Sequence, residues 1–310
     1  MAVTGLHHVS AIVGPPQATV DHYVGRLGLR LVKQTVNHDD PSTYHLYVAD
    51  GEVRPGSFLT FFPWPDGRPG RIGTGQATAT AYPVPLGAID AWQDVLAADA
   101  EDVGDRESRF GASVLALRDP SGLRLELVET PDADGAWVDG PVPADRALGA
   151  FHSVTLDSRD PDATARVLTG ALDYRPVGQE GDRLRFEASG TDRARFVDLL
   201  ATPGPEPGRM GVGTVHHVAF RVPDDDAESE VRERLLALGL TPTPTIDRTY
   251  FRSVYAREPG GILFEIATDP PGFAVDEPAG ALGRRLVLPP HLEPRRAFIE
   301  ARLAPLTLPT

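Results

Sequence analysis

Leu6-His7-His8-Val9-Ser10-Ala11-Ile12-Val13 is an alternating segment near the start of the chain, and it opens a repeated unit. Each copy of the unit has an alternating strand, a helix of about ten to fourteen residues, and then two or three further alternating strands. The four copies begin at Leu6, Ala77, Phe151 and Val215. Because a repeat constrains the architecture more strongly than any single element, the pattern predicts a fold built from four related units.

A segment without periodicity separates the four copies into two pairs. Residues 131–147 are rich in Pro, Asp and Gly, which is typical of a linker between domains. The sequence therefore predicts an N-terminal domain of two units (1–130), the linker (131–147), a C-terminal domain of two units (148–270) and a Pro-rich tail (271–310). The tail ends in a short amphipathic stretch, Arg295–Leu303, which we expect to pack on the body of the protein or to close over a pocket.

Composition restricts the chemistry that the chain can perform. There is no cysteine among the 310 residues, which excludes disulfides, cysteine-based zinc sites, iron–sulfur clusters and thiol nucleophiles. Any bound metal must therefore use His, carboxylate or water. The 30 basic and 44 acidic residues give a net charge of -14 without a Lys/Arg-rich stripe, which argues against a nucleic-acid partner.

The sequence shows no feature of a secreted or membrane protein. The N-terminus runs straight into alternating residues, without a basic region followed by a long apolar core. No later run approaches the ~20 apolar residues of a membrane span. We therefore expect a cytoplasmic protein with no membrane partner.

Two His-His pairs occupy equivalent places in the repeat, His7-His8 in the first strand of copy one and His216-His217 in the first strand of copy four. Adjacent residues of a strand face opposite sides of the sheet, so at most one His of each pair should line a given concave face. Glu265 lies in an apolar run, where a lone charge is costly unless it is paired or metal-bound. Two imidazoles and one carboxylate form the facial triad that leaves positions open on ferrous iron for substrate and O2. One His of each pair and Glu265 are therefore predicted to bind a metal.

The middle copies hold two residues at related positions. Glu126 in copy two stands where Glu265 stands in copy four, and His152 in copy three matches the first-strand His. Ala79 falls where a further ligand would be needed, so this second site is interpreted as vestigial. The alternative is that His152, rather than His8, is the first metal ligand and that the second domain builds its own site.

Short motifs with a recognisable pattern extend over nearly the whole chain, including the tail at Leu288-Pro289-Pro290. They are Gly5-Leu6-His7-His8-Val9-Ser10, Val36-Asn37-His38-Asp39-Asp40-Pro41, Tyr44-His45-Leu46-Tyr47, Phe61-Phe62-Pro63-Trp64, Phe151-His152-Ser153-Val154, His216-His217-Val218-Ala219-Phe220, Asp247-Arg248, Tyr250-Phe251-Arg252-Ser253-Val254-Tyr255, Arg257-Glu258-Pro259-Gly260-Gly261 and Phe264-Glu265. In these motifs the sequence resembles the vicinal oxygen chelate superfamily (glyoxalases, bleomycin resistance proteins and extradiol dioxygenases), and within it the hydroquinone-type ring-cleaving dioxygenases. Ser10 stands where this group often has Thr, a departure that keeps the hydroxyl.

The resemblance implies an α+β fold of four βαβββ modules paired into two barrel-like vicinal oxygen chelate domains. It also implies that the second His of each pair binds the metal, so the expected ligands are His8, His217 and Glu265. The expected cofactor is Fe(II), with Mn(II) as the alternative, and the expected assembly is a homodimer. Further site residues implied by the resemblance are Arg248, Tyr255, His7, His216 and Ser10.

Arg248 and Tyr255 are the site residues whose chemical role can be argued. A dihydroxy aromatic ring binds through a deprotonated oxygen beside O2, so Arg248 could stabilise developing negative charge and Tyr255 could act as a general acid. The structural alternatives are a surface ion pair between Arg248 and Asp247, and ordinary strand packing for Tyr255. The remaining polar or aromatic candidates are interpreted as structural: the turn Asp39-Asp40-Pro41, Trp64, and His22, His38, His45 and His291, which have no repeat-equivalent partner.

The sequence therefore predicts a ferrous-iron-dependent, ring-cleaving (extradiol-type) dioxygenase that inserts O2 into a hydroquinone-type, dihydroxy aromatic ring. The alternatives are a catechol extradiol dioxygenase, a glyoxalase-like metal-dependent isomerase, and a non-catalytic small-molecule-binding protein of the same fold. Such an isomerase usually completes four protein ligands and needs a second carboxylate, whereas only Glu265 is well placed. Retention of a full triad argues against the binding protein.

Overall fold

A computed structural model describes residues 2–38, 40–98 and 102–309, so that Asp39 of the predicted turn lies outside the described residues. The first half of the chain contains two of the repeated units. The first comprises β1 (Leu6–Val13), α1 (Pro16–Val20) continued by a π-helical turn (Asp21–Arg26), β2 (Arg30–Val36), β3 (Tyr44–Ala49) and β4 (Phe58–Pro63). The second comprises β5 (Gln76–Val84), α2 (Ala88–Ala98), β6 (Val103–Arg109), β7 (Ala112–Arg118) and β8 (Arg124–Glu129).

The second half of the chain repeats the same order of elements. The third unit comprises β9 (Ser153–Asp157), α3 (Pro161–Gly170), β10 (Tyr174–Glu180), β11 (Arg183–Ala188) and β12 (Phe196–Leu200). The fourth comprises β13 (Thr214–Val222), α4 (Asp225–Ala237), β14 (Ile246–Asp247), β15 (Arg252–Arg257) and β16 (Leu263–Thr268), and the tail contains α5 (Arg296–Glu300). Among the elements described, no helix has the length and apolar content that a membrane crossing requires.

The strands form two curled sheets of eight strands each. One has the order β14-β15-β16-β13-β1-β4-β3-β2 and joins the fourth unit to the first, and the other has the order β10-β11-β12-β9-β5-β8-β7-β6 and joins the third unit to the second. Each junction is an antiparallel pair of first strands, β1 with β13 and β5 with β9. The predicted α+β fold of four βαβββ modules in two barrel-like sheets is confirmed.

The sheets join units across the predicted division of the chain. The sequence expectation puts consecutive units into one domain, 1–130 and 148–270, whereas the sheets pair the first unit with the last and the second with the third. Repeated units have similar first strands, so the local pattern does not specify which two first strands pair. The division at the linker stays a prediction about folding units. A site within one sheet combines residues from distant parts of the chain.

Apolar side chains of both sheets and of the helices form one continuous cluster. Trp92 of α2 and Phe220 of β13 are among its largest buried members. Helices α3 and α4 begin at the acidic caps Asp160 and Asp224, and Asp224 accepts a hydrogen bond from the backbone N–H of Ala227 at 2.9 Å. The helices pack on strands of their own units and so hold the two sheets in place.

The tail packs on the first unit, which is one of the two arrangements expected for it. Lys33 of β2 is buried, and its ammonium nitrogen lies 2.6 Å from a carboxylate oxygen of Asp276 and 2.5 Å from one of Glu277. Ile299 of α5 belongs to a small apolar cluster with Val36 at the end of β2. The tail therefore packs on strand β2.

Candidate metal centre

His8, His217 and Glu265 come together on three adjacent strands of one sheet. His8 lies on β1, His217 on β13 and Glu265 on β16, and β13 pairs with both of the other strands. All three side chains are buried. Because β1 belongs to the first unit and the other two strands to the last, the cluster exists only where these units share a sheet.

The possible ligand atoms of this cluster converge on one point. The Nε2 atoms of His8 and His217 are 3.1 Å apart, and Oε2 of Glu265 lies 3.1 Å from the first and 2.8 Å from the second. With metal–ligand bonds of about 2.1 Å, ligand atoms at right angles are roughly 3.0 Å apart, whereas tetrahedral ligands are roughly 3.4 Å apart. The spacing fits one face of an octahedron, which leaves the other positions for water, substrate or O2.

Glu265 has no donor in hydrogen-bond geometry on either carboxylate oxygen among the residues that the structure describes. A buried carboxylate in this state is costly unless a cation compensates its charge. Burial opposes its ionisation, but the facing imidazoles of His8 and His217 hold the pKa of Glu265 well below its ordinary value. Burial also lowers the pKa of His217, which favours the neutral imidazole that a metal requires. The donor set therefore fits a divalent cation.

The first member of each His pair is the extra residue of a β-bulge. The register of the β1–β13 pair skips His7 on one strand and His216 on the other. The Nδ1 atoms of His7 and His8 are 2.9 Å apart, and those of His216 and His217 are 2.7 Å apart. Each ligand His thus has its second ring nitrogen engaged by the preceding His, which orients the ring.

The expectation that at most one His of each pair faces the concave side is wrong for the second pair. Both His216 and His217 line the cavity beside the triad. The bulge is the physical reason, because an extra residue interrupts strict alternation and re-aims the side chains around it. Burial, together with the adjacent His217, lowers the pKa of His216 to about 3, so this imidazole is neutral at physiological pH.

A cavity of about 300 Å³ opens onto the imidazoles of the triad. That volume lies at the small end of the range for ligand pockets and suits a single aromatic ring. Its apolar lining consists of Ile12, Phe62, Trp64 and Phe251, and the rest of the wall consists of His8, Ser10, Asn37, His38, Asp40, His45, Tyr47, His216, His217, Arg248 and Tyr255.

Arg248 and Tyr255 lie together at this cavity. Arg248 Nε donates a hydrogen bond to the Tyr255 hydroxyl at 3.1 Å. Asp247, considered above as an ion-pair partner of Arg248, accepts a hydrogen bond from the backbone N–H of Thr249 at 2.7 Å. Tyr255 pairs with Glu265 between β15 and β16. Burial and the nearby Glu265 raise the pKa of Tyr255 above its ordinary value, so the phenol keeps its proton.

In the second sheet, the position that matches His8 carries Ser153 and not His152. Ser153 is opposite the β5 residue that pairs with Glu126, just as His8 is opposite the β13 residue that pairs with Glu265. The interpretation of His152 as the matching ligand is therefore wrong by one residue, which is enough to move a side chain to the other face of a strand. His152 Nδ1 is instead hydrogen-bonded to Ser153 Oγ at 3.0 Å.

Glu126 is paired with an arginine in the second sheet. Arg109 donates to both of its carboxylate oxygens, with distances of 2.6 Å and 3.1 Å. Ala79 stands at another ligand position, as the sequence indicates. The second sheet thus offers one counterpart of the three proposed ligands, the carboxylate of Glu126, and His152 lies immediately before its strand β9, away from the triad's sheet.

Sequence analysis missed three polar residues beside the triad, His45 and Tyr47 of β3 and Thr60 of β4. His45 and Tyr47 line the cavity, and Thr60 is hydrogen-bonded to His45. Repeat comparison could not identify His45, since no other unit has a His at that position. His38 and Trp64, also interpreted as structural, line the cavity as well.

Comparison with known proteins gives matches over nearly the whole chain. A profile of the Glyoxalase/Bleomycin resistance protein/Dioxygenase superfamily matches residues 5–127 and 150–266. "Putative ring-cleaving dioxygenase MhqO" of Bacillus subtilis (strain 168) is 46% identical over 302 residues, which are 97% of this chain and 96% of that protein. "Chlorohydroquinone/hydroquinone 1,2-dioxygenase" of Sphingobium indicum is 35% identical over 300 residues, 94% of this chain and 93% of that protein.

A solved structure is similar over the same extent. The crystal structure titled as a "putative dioxygenase" from Bacillus subtilis subsp. subtilis str. 168 has a TM-score of 0.95 and 45% sequence identity to this chain, and the match covers 99% of both chains. The two proteins are therefore similar in fold as well as in sequence over nearly their whole length.

Proposed function

Since the chain belongs to the Glyoxalase/Bleomycin resistance protein/Dioxygenase superfamily and is a ring-cleaving dioxygenase, we propose that it uses Fe(II) to insert O2 into a hydroquinone-type ring. The relative from Sphingobium indicum is named for hydroquinone and chlorohydroquinone, and its similarity extends over nearly the whole chain. The proposed ligands of the metal are His8, His217 and Glu265. Fe(II) is preferred to Mn(II) because the activity is an oxygen insertion.

A three-ligand site with a hydroxyl at the fourth position is the observation that carries this proposal. In the fourth unit Glu265 pairs with Ala219, and in the first unit Thr60 pairs with Ser10 at the corresponding place. Thr60 is engaged by Ser10 and His45 through hydrogen bonds and offers no carboxylate. The isomerase alternative, which needs a second carboxylate, is therefore disfavoured.

The residues around the triad suit a dihydroxy aromatic ring. A bound ferrous ion supplies open positions for one deprotonated ring oxygen and for O2, and it overcomes the spin barrier to their direct reaction. Phe62 and Phe251 give the cavity apolar ring faces against which a planar substrate can pack. Arg248 provides a fixed positive charge near developing negative charge, and Tyr255 holds a proton at Oη that it can donate to a substrate oxygen.

The proposal is tested by anaerobic reconstitution with Fe(II) or Mn(II), followed by O2 uptake with hydroquinones and catechols in parallel. We expect hydroquinones to drive uptake in the Fe(II) protein, His8→Ala to abolish it and His152→Ala to spare it. Uptake with catechols alone would favour the catechol extradiol alternative. No uptake with any diol would contradict a dioxygenase.

Two wider predictions accompany this function. We propose a homodimer, which light scattering tests, and a cytoplasmic location, which fractionation of the source cells tests. The proposed chemistry does not depend on either, because the residues that form the triad and line its cavity belong to one chain.

A further inference from the structure

Four side chains, Ser10, Thr60, His45 and Tyr47, are connected by hydrogen bonds along the cavity wall beside the triad and form a hydrogen-bond chain. Ser10 Oγ and Thr60 Oγ1 are 2.7 Å apart, Thr60 Oγ1 and His45 Nε2 are 3.0 Å apart, and His45 Nδ1 and Tyr47 Oη are 3.0 Å apart. The chain crosses the adjacent strands β1, β4 and β3. Ser10, His45 and Tyr47 line the cavity, whereas Thr60 is fully buried. The chain begins two residues from His8 and ends at Tyr47.

The protons of these four groups make the directions of their hydrogen bonds depend on one another. A neutral imidazole carries one N–H and each of the three hydroxyls carries one O–H, so the four groups hold four protons. The three internal hydrogen bonds use three of them. The fourth proton must point outward from one end of the chain, while the other end presents lone pairs. His45 couples the two ends, because its protonated nitrogen determines whether Tyr47 donates or accepts towards the cavity.

The imidazole of His45 is kept neutral and in place. Burial is the main cause that lowers the pKa of His45 well below its ordinary value, and the nearby groups His38, His8, His217 and Arg248 lower it further. The ring centroid of His45 lies 4.2 Å from that of Tyr47 and 4.4 Å from that of Phe62. This packing resists a ring flip, so each nitrogen keeps its own partner.

Tyr47 has a counterpart on the opposite side of the triad. The strand registers place Tyr47 in the first unit where Tyr255 stands in the fourth. Arg248 donates to Tyr255, whereas Tyr47 is hydrogen-bonded to the neutral His45. A cation beside Tyr255 suits a substrate oxygen that carries negative charge. A neutral partner beside Tyr47 suits an uncharged hydroxyl.

We propose that His45 is a positioning residue that aims the Tyr47 hydroxyl at the second oxygen of a ring whose first oxygen lies at the metal triad. The inference rests on the proposed function, which places a dihydroxy ring in this cavity. Through Thr60, the same imidazole also sets the orientation of the Ser10 hydroxyl. A ring without the second oxygen leaves the Tyr47 hydroxyl without a hydrogen-bond partner in a largely buried wall. The hydrogen-bond chain therefore disfavours binding of a monohydroxy ring.

Anaerobic calorimetry of hydroquinone and phenol with the Fe(II)-reconstituted protein tests this inference. We expect wild type to bind hydroquinone about tenfold more tightly than phenol, the effect of one well-placed hydrogen bond. His45→Phe keeps an aromatic ring against its neighbours but removes both nitrogens, and Thr60→Val removes the central hydroxyl at similar size. Both variants should reduce the preference to about twofold or less and leave the affinity for phenol nearly unchanged.

Two control variants distinguish an effect on the hydrogen-bond chain of the four side chains from a general effect on the fold. Thr60→Ser keeps the hydroxyl and should keep the preference. Tyr174→Phe removes a buried hydroxyl of the other sheet that has no hydrogen-bond partner in the described part of the chain, and it should change neither affinity. In turnover, His45→Phe should raise KM for hydroquinone about tenfold and change kcat by less than about twofold, a split that a general loss of structure does not produce.

Nitrogen-15 NMR of the metal-free protein can detect the hydrogen bonds of His45 without any substrate. Thr60→Val should shift the Nε2 resonance of His45, which is identified by its absence in His45→Phe. No shift would overturn the inference, and so would an unchanged hydroquinone-to-phenol ratio in both variants while the wild type consumes O2. Failure of the proposed function has a different signature: no diol drives O2 uptake in the wild type, and the inference then falls with it.

Discussion

The orientation of the imidazoles of His8 and His217, the two proposed ligands, depends on the residue before each of them. In a regular strand the members of a His pair face opposite sides, but His7 and His216 are bulged, and each lies within hydrogen-bond distance of the ligand that follows it. A ligand whose second nitrogen is held cannot easily turn away when the metal leaves. The two bulges therefore build ligand orientation into the backbone.

Replacing Glu265 by Gln tests the charge of the metal centre. Gln keeps the shape but removes the negative charge, so we expect Fe(II) affinity to fall by at least about 100-fold. Metal content after dialysis, measured by atomic emission, checks this. The control is Glu126→Gln at the matching position of the other sheet, which should retain the metal. Equal retention by both variants would contradict the assignment of the triad.

Thr60→Glu supplies the carboxylate that the first unit lacks. A fourth protein ligand occupies a position that the ring or O2 needs, so we expect O2 uptake to fall by at least about 100-fold while metal affinity rises. Thr60→Gln has the same length without the charge and should not increase metal affinity. If the two variants have the same metal affinity, the fourth-position argument is wrong.

The half-buried His152 gives stability a pH dependence whose sign follows from the direction of its pKa shift. Burial, with the nearby Arg185, lowers the pKa of His152 to about 3 from an ordinary value of 6.5, so between these pH values the unfolded chain binds a proton that the folded chain does not. Its contribution is complete above the ordinary pKa and is lost as pH falls towards the folded pKa, by at most about 1.4 kcal/mol per pH unit. His152→Phe should flatten the slope in urea unfolding of the metal-free protein from pH 7 to pH 5. A slope equal to that of wild type would exclude this account.

At the scale of elements, the alternating pattern predicts only two strands after the helix in the second, third and fourth units, and the additional strand observed in each lies at a sheet edge. They are β6, β10 and β14, and each ends one of the two sheet orders. Most residues of β6 and β10 are exposed. An edge strand needs no apolar face and is often polar, which removes the alternation on which a sequence-based assignment depends. Central strands such as β1 and β13 are largely buried on both faces and begin within one residue of the predicted starts of their copies, Leu6 and Val215.

The contact between strand β2 and the tail is expected to contribute strongly to stability. Lys33→Met leaves the charges of Asp276 and Glu277 without their buried partner, so we expect the free energy of unfolding to fall by about 3 kcal/mol in urea titrations. The control is Arg285→Ala, because Arg285 is mostly exposed and lies 3.8 Å from Glu277. It should have little effect. Similar losses in the two variants would show that the buried pair has no special role.

At the scale of the whole molecule, the proposed metal site links the first unit of the chain to the last. His8 precedes the linker, whereas His217 and Glu265 follow it by many residues. A chain cut in the linker, at an inserted protease site beside the exposed Val138, should therefore keep its metal as long as the halves stay together. Either half alone, 1–138 or 139–310, should fail to bind it. Metal analysis of the cut protein, and of each half after separation in denaturant, refolding and incubation with Fe(II), checks this, and a half that binds metal alone would contradict the shared site.

The sequence by itself determined the repeat, the central strands, Glu265 and the two His pairs, and its resemblance to a known family indicated which member of each pair belongs to the proposed metal site. Alternation and repetition relate neighbours along the chain, so they can be recognised without knowing which strands pair. The lone carboxylate in an apolar run and the paired His residues could be recognised for the same reason.

Only the tertiary structure decided that the first unit pairs with the last, that His7 and His216 are bulged, and that Ser153 rather than His152 matches His8. It also decided that His45 faces the cavity, because that position depends on β3, β4 and β1 lying side by side. Strand partners, register and bulges arise from contacts between residues that are distant in the chain, and a shift of one residue reverses the face of a side chain. Local sequence patterns do not contain that information.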